Sequence, residues 1–246
     1  MRFFEFFRGS QKEKQIIEKN DPEILLIDID KLNEQFITPL KEIIIERHLS
    51  ETEKQSILEE ITSTYSNFPE EVKELFRYKT LAIYFLPYEC NFSGLTVMAP
   101  PSYDKAFIII NAKTIKRGIF ITLLHELGHC LDFNTYPPMY TPSWAWKFLD
   151  KFENDIIRKE PEPLEGFDRD EIYLFGEHAE EWASRLAATI IAIYFSKVPE
   201  SDKLPVTGLR KPPLTVDEFK RKYPRSYKFF RKFLKVLNKK FKEGNK

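Results

Sequence analysis

The stretch Ile121–Phe133, ITLLHELGHCLDF, holds two of the chain's 4 histidines, and they lie four positions apart. Each residue of an α-helix advances about 100° around the axis and about 1.5 Å along it. In a helix, His125 and His129 would therefore project from nearly the same face, about 6 Å apart along the axis, with Glu126 beside them. Two imidazoles and a carboxylate on one short arc are typical of two metal ligands and a general base. The stretch therefore predicts a site for one zinc ion.

Gly128 lies between these histidines, where an isolated helix would not favour a glycine. Glycine costs about 1 kcal/mol relative to alanine in a helix interior. We therefore predict that the missing side chain leaves room for a closely packed neighbour, such as a second helix.

A catalytic zinc site usually has a third protein ligand and keeps one position for water. One class of zinc peptidase takes that ligand from a histidine in a glycine-containing extension of the motif. The extension would need Gly at position 132 and His at 135, where this chain has Asp and Thr, so this class is excluded. A helix predicted to begin near Gly176 offers three acids instead. These are Glu177, Glu180 and Glu181.

The motif and this later helix together resemble a known family. HELGHCLDF followed by YLFGEHAEEWASRLA (Tyr173–Ala187) is similar to the catalytic domain of the lethal-factor-like gluzincins, which are zinc metallopeptidases. The likeness covers about Leu81–Phe195. It implies that Glu180 is the third ligand and that Tyr173, seven residues earlier, is an acid or oxyanion donor. Ser184 stands where related gluzincins often have an acid that steadies a ligand histidine.

Other polar residues near this site have competing interpretations. Glu181 is the rival third ligand, or otherwise part of a solvated helix face. His178 would stabilise the tetrahedral intermediate, or it is a surface histidine near a helix start. Asp132 would orient His129, or it faces solvent. The predicted site has the metal ligands His125, His129 and Glu180 and the catalytic candidates Glu126, Tyr173 and His178.

The surrounding pattern predicts an α+β fold, and the resemblance implies that it is zincin-like, with a small mixed sheet, an active-site helix and a second ligand-bearing helix. Three segments rich in β-branched and aromatic residues predict strands, at Leu81–Glu89, Leu95–Pro100 and Ala106–Asn111. Ser50 and Glu53 have the spacing of a capping box at a helix start. We divide the chain into an N-terminal helical region (1–76), a zincin-like catalytic domain (77–200), and a linker with a basic amphipathic C-terminal helix (201–246).

Two segments have open functional interpretations. Lys105–Asn111 is either an edge strand that pairs with an extended peptide substrate or an inner strand of the sheet. The basic tail from Lys220 has Glu243 as its only acid. Its apolar residues recur at helical spacing, so one face is expected to pack on the body. The alternative function for the whole chain is a catalytically silent zincin-like module that uses this basic helix to engage a partner.

The composition of the chain limits which partners and which cellular compartment are expected. A hydrophobic content of 42% in 246 residues allows a sizeable core, and a net charge of zero makes nucleic acid an unlikely partner. The 2 cysteines do not form a disulfide framework, and we find no transmembrane segment or export signal. We therefore expect a cytoplasmic enzyme with a protein or peptide substrate, and leave its oligomeric state open.

Overall fold

The computed structural model describes residues 20–31, 43–99, 104–114, 118–133, 136, 141–160, 177–195 and 215–244. The strands within these ranges are β1 (Glu23–Leu26), β2 (Ile45–His48), β3 (Thr80–Leu86), β4 (Tyr88–Cys90), β5 (Gly94–Met98) and β6 (Ala106–Asn111). The helices are α1 (Glu51–Ser66), α2 (Glu70–Lys79), α3 (Ile119–Cys130), α4 (Ser143–Lys151), α5 (Glu177–Tyr194), α6 (Val216–Lys222) and α7 (Pro224–Gly244). A π-helical segment, Phe152–Ile157, continues α4.

The strands form a small mixed sheet in the order β1-β3-β6-β5, and β2 pairs with β4 in a separate antiparallel ribbon. The β1–β3 and β3–β6 pairs are parallel, whereas β5 runs antiparallel to β6. The expectation of mixed helices and a small mixed sheet is therefore confirmed. The predicted Ala106–Asn111 strand has the observed bounds of β6. The predicted Leu81–Glu89 strand is divided at Pro87, which has no N–H to donate, into β3 and β4.

The described strands decide one alternative that the sequence left open and correct one expectation. The segment Lys105–Asn111 is not an edge strand, because β6 lies between β3 and β5. The region 1–76 is not wholly helical, because it contributes β1 and β2. Both strands pair with strands beyond residue 76, so partners distant in sequence decide their conformation.

One hydrophobic core joins the three predicted segments. Its buried members include Ile61 of α1, Leu127 of α3 and Phe233 of α7. The apolar face of the C-terminal helix packs on the body as expected, with Phe230, Leu234 and Leu237 buried. The boundaries at 76 and 200 therefore do not separate independent cores among the described residues.

Local signals set the starts of the helices. The capping box of Ser50 and Glu53 is present at the start of α1. Gly118 has a φ of 92°, a value that L side chains rarely adopt, and α3 begins directly after it. The helix expected near Gly176 is α5, which begins at Glu177. None of the described helices has the length and apolar character required to cross a membrane.

Candidate metal centre

The motif helix α3 lies between the sheet and α5. Leu123, Leu124 and Leu127 are fully buried in the core. This apolar packing leaves His125 and His129 on the side of α3 that meets α5, with ring centroids 4.7 Å apart. The predicted projection of both imidazoles from one helix face is therefore present.

The close neighbour predicted for Gly128 is α5. A Cβ atom at Gly128 would clash with backbone atoms of Ala183. Glu180 is one helical turn before Ala183, and His129 follows Gly128 directly. The glycine therefore allows the ligand-bearing parts of the two helices to approach closely.

His125, His129 and Glu180 form a compact cluster. The Nε2 atom of His125 lies 3.1 Å from Oε2 of Glu180, and the Nε2 atom of His129 lies 3.3 Å from Oε1 of the same carboxylate. The two Nε2 atoms are 3.1 Å apart. These three residues could hold a metal ion.

The distances between the candidate ligand atoms are close to those expected around a zinc ion. Zinc–nitrogen and zinc–oxygen bonds are about 2.0–2.2 Å long, so two ligands at the tetrahedral angle are about 3.3 Å apart. The two Nε2 atoms are 3.1 Å apart, and those of His125 and His129 lie 3.1 and 3.3 Å from Oε2 and Oε1 of Glu180, respectively. Two imidazoles and one carboxylate are also a donor set that zinc accepts in catalytic sites. The residues present therefore fit the ion that the motif predicts.

Ser184 contacts His125, and Asp132 interacts electrostatically with His129. The Nδ1 atom of His125 lies 3.1 Å from the hydroxyl oxygen of Ser184, so the ring nitrogen that faces away from Glu180 has a polar partner. Such a partner fixes the orientation of a ligand imidazole. Asp132 is buried, which excludes the interpretation that it faces solvent, and its negative charge acts to raise the pKa of His129.

Charge coupling is strong within the cluster when no cation is present. Burial lowers the pKa of His129, but its hydrogen bond to Glu180 and the charge of that carboxylate outweigh burial and raise the pKa to about 9. Burial raises the pKa of Glu180, but hydrogen bonds from the two imidazoles outweigh it and hold the pKa well below its usual range. Glu180 is therefore an ionised carboxylate, as a metal ligand must be, whereas His129 would have to release its proton for a metal ion to bind.

Glu126 packs against β5, the outermost of the described strands on that side of the sheet. Its Oε2 atom accepts a hydrogen bond of 2.8 Å from the hydroxyl of Thr96, which also donates to the backbone carbonyl of Glu126. A Cβ atom on Gly94 would lie 2.5 Å from Oε1 of Glu126, so this glycine makes room for the carboxylate. Burial raises the pKa of Glu126 above its usual value. Thr96 and Gly94 were not predicted as site residues, because only the pairing of β5 with β6 reveals their position.

The two adjacent acids of α5 have different partners. Glu180 contacts the histidines, whereas Glu181 accepts a hydrogen bond of 2.6 Å from Nε of Arg185. Glu181 is buried, so it is not part of a solvated helix face. Two other predicted residues remain predictions: Tyr173 lies outside the described residues, and so does the side chain of His178.

Comparison with known proteins adds no family. No model of a known protein family matches the chain, and no curated protein matches it significantly. The assignment of function therefore rests on the residues and their geometry.

Proposed function

We propose that this protein is a zinc-dependent metallopeptidase of the gluzincin type, with a zincin-like fold. The observation that supports this most directly is the convergence of His125, His129 and Glu180 at separations that fit zinc. Glu180 reaches the histidines from a second helix, as in the lethal-factor-like family. The ligand set would leave a fourth tetrahedral position for water or substrate.

The reaction would be hydrolysis of a peptide bond. Zinc, when bound, would lower the pKa of a water molecule and polarise the scissile carbonyl. Glu126 would accept a proton from the attacking water and pass it to the leaving nitrogen. Burial supports this role because it raises the pKa of the carboxylate and so makes it a stronger base. Thr96 would hold the carboxylate in place through its hydrogen bond to Oε2. Tyr173 and His178 remain candidates for steadying the oxyanion.

The edge strand β5 supports an extended peptide as the substrate. Among the described strands, β5 pairs only with β6, so its other edge has backbone groups available for a further strand. Thr96 and Gly94 of this strand contact Glu126. A peptide that pairs with β5 would therefore pass close to the proposed base. We therefore propose for β5 the substrate-pairing role that one interpretation of the sequence gave to Lys105–Asn111.

The experiment compares zinc content and hydrolysis of an unstructured protein for the wild type and three variants. We expect Glu126→Gln to keep about one zinc per chain and to lose at least a hundredfold in rate. Glu180→Gln should lose both zinc and activity. Glu71→Gln, which changes an exposed acid on α2, should match the wild type in both.

The alternative is a silent module that engages a partner through its basic helix α7. The apolar face of that helix is buried, so only its charged outer face would be available. Equal zinc content without hydrolysis by wild type or Glu126→Gln, against both unstructured protein and a peptide library, would favour this alternative.

A further inference from the structure

A buried ionic network on α5 involves Glu181 and Arg185 and does not include the cluster residue Glu180. Arg185, five residues after Glu180, is fully buried. Its guanidinium donates to the carboxylate of Glu181 at 2.6 Å, to the hydroxyl of Ser226 at 2.8 Å and to the backbone carbonyl of Glu160 at 2.8 Å. The ring of Tyr223 lies 4.9 Å from the centre of the guanidinium. Arg185 therefore connects α5 to two other parts of the chain.

Glu160 connects this network to the start of α7. Its carboxylate accepts hydrogen bonds from the backbone N–H groups of Arg225 and Ser226, at 2.7 and 3.0 Å. The hydroxyl of Ser226 donates to the same carboxylate at 2.5 Å. A carboxylate at these N–H groups satisfies donors that have no partner within the helix and complements the helix dipole. The position of Glu160 is therefore tied to α7, and Arg185 is tied to Glu160.

The rotation of α5 about its axis determines which of two adjacent glutamates reaches the histidines. Glu180 and Glu181 are chemically identical and point about 100° apart around the helix axis. In the observed rotation, Glu180 meets the histidines and Glu181 meets Arg185. If α5 were rotated by about 100° around its axis, Glu181 would point toward α3 in place of Glu180. The Glu181–Arg185 pair would turn with the helix and cannot oppose that rotation.

The bonds from Arg185 to Glu160 and Ser226 would not turn with the helix. They join α5 to residues elsewhere in the chain, so rotation would break them and leave a buried guanidinium without its bonds to Glu160 and Ser226. Removing partners from a buried charge is strongly destabilising, and hydrogen bonds to a guanidinium are directional, whereas apolar contacts are not. The network therefore opposes rotation more specifically than the aromatic packing around Trp182 does.

We propose that Arg185, held by Glu160 and Ser226, sets the rotation of α5 and so selects Glu180 over Glu181 as the metal ligand. Arg185 is thus a positioning residue for the metal centre, and the inference rests on the proposed zinc site. The inference also gives the C-terminal helix a role, because residues at the start of α7 bind Glu160 and Arg185.

The test measures zinc affinity of the folded full-length protein by competition with a chromophoric chelator. Arg185→Lys keeps the positive charge but loses the fork of donors, and we expect zinc affinity to fall at least fivefold. Ser226→Ala removes one partner of the guanidinium, and we expect a fall of about threefold. Thr189→Val is the matched control, because its hydroxyl is buried on α5 and donates to the backbone carbonyl of Arg185, not to the guanidinium network. Its zinc affinity should stay within twofold of the wild type.

A second measurement separates positioning from general stability. The visible spectrum of bound Co²⁺ reports ligand geometry, and it should change in Arg185→Lys and Ser226→Ala but not in Thr189→Val. Wild-type affinity and spectrum in folded Arg185→Lys would overturn the inference, and Ser226→Ala decides the matter if Arg185→Lys does not fold. A wild type that binds zinc without hydrolysing peptides would contradict the proposed function alone. A wild type that binds no zinc would overturn both.

Discussion

Gly128 of α3 packs directly on the backbone of Ala183 in α5. A Cβ atom at position 128 would lie 2.6 Å from the carbonyl oxygen of Ala183 and 2.7 Å from its Cα atom. Neither backbone atom can move unless α5 moves with it. Because His129 and Glu180 are close neighbours of these two residues in sequence, this contact controls how near the ligands come to one another.

Gly128→Ala should therefore lower both the stability of the protein and its affinity for zinc. Helix propensity alone would favour alanine by about 1 kcal/mol. Overpacking against a backbone costs about 1–3 kcal/mol, and the separation of α3 from α5 moves Glu180 away from the histidines. We expect the free energy of unfolding to fall by about 1 kcal/mol and the zinc affinity to fall at least tenfold. Urea unfolding and chelator competition measure the two effects.

A second substitution, added to Gly128→Ala, tests whether the clash involves the backbone or the side chain of Ala183. Adding Ala183→Gly should not restore zinc affinity, because the clash is with backbone atoms and not with the side chain of Ala183. A Gly128→Ala protein that is more stable than the wild type and binds zinc normally would contradict the role assigned to this contact.

Gly94→Ala should affect the proposed base and leave the metal ligands in place. The new Cβ atom would lie 2.5 Å from Oε1 of Glu126, so the carboxylate must shift from its position beside Thr96. We expect the rate of peptide hydrolysis to fall at least tenfold while zinc affinity stays within twofold. Thr96→Ser, which keeps the hydroxyl, serves as the control and should retain most activity. Loss of zinc from Gly94→Ala would show that the space at Gly94 serves the ligands instead.

Ser184→Ala should weaken zinc binding without removing a ligand. The hydroxyl lies 3.1 Å from Nδ1 of His125 and orients the imidazole. Loss of such a partner typically costs 10–100-fold in metal affinity or activity, and we expect about tenfold because serine carries no charge. Chelator competition measures the change, with Thr189→Val as the control for a buried hydroxyl on the same helix. Equal affinities for the two variants would mean that Ser184 does not orient His125.

Local spacing predicted part of this site, and long-range contacts decided the rest. A spacing of four residues in a helix is enough to predict that His125 and His129 share one face. The missing side chain of Gly128 is enough to predict a close neighbour there. The choice between Glu180 and Glu181 could not be made in this way. It depends on the rotation of α5, whose contacts include a hydrogen bond from Arg185 to Glu160, a residue far away in sequence.

The strands illustrate the same limit. β6 was predicted with its observed bounds because its short segment AFIIIN is rich in β-branched and aromatic residues. β1 has only four residues and is a strand because β3 pairs with it. Thr96 reaches Glu126 only because β5 lies at the sheet edge beside α3, which no local motif signals.

The buried Lys79 predicts a pH dependence of stability that is separate from the metal site. Burial lowers its pKa from 10.5 to about 8, although its Nζ donates to the carbonyl oxygen of Asp104. Between pH 8 and pH 10.5 the unfolded chain therefore binds more protons at this lysine than the folded chain does. Stability rises with pH in that window, and the full cost of about 3 kcal/mol is present below pH 8.

Lys79→Met removes this titration. The variant should gain most over the wild type near pH 7, and the gain should shrink by about 3 kcal/mol as the pH approaches 10.5. Urea unfolding at a series of pH values measures the difference, and Lys232→Met, at an exposed position of α7, is the control with no such dependence. A constant difference between Lys79→Met and the wild type from pH 7 to pH 10.5 would show that Lys79 remains charged throughout. Its contacts with Asp104 and the ring of Tyr136, 4.4 Å from Nζ, would then outweigh its burial.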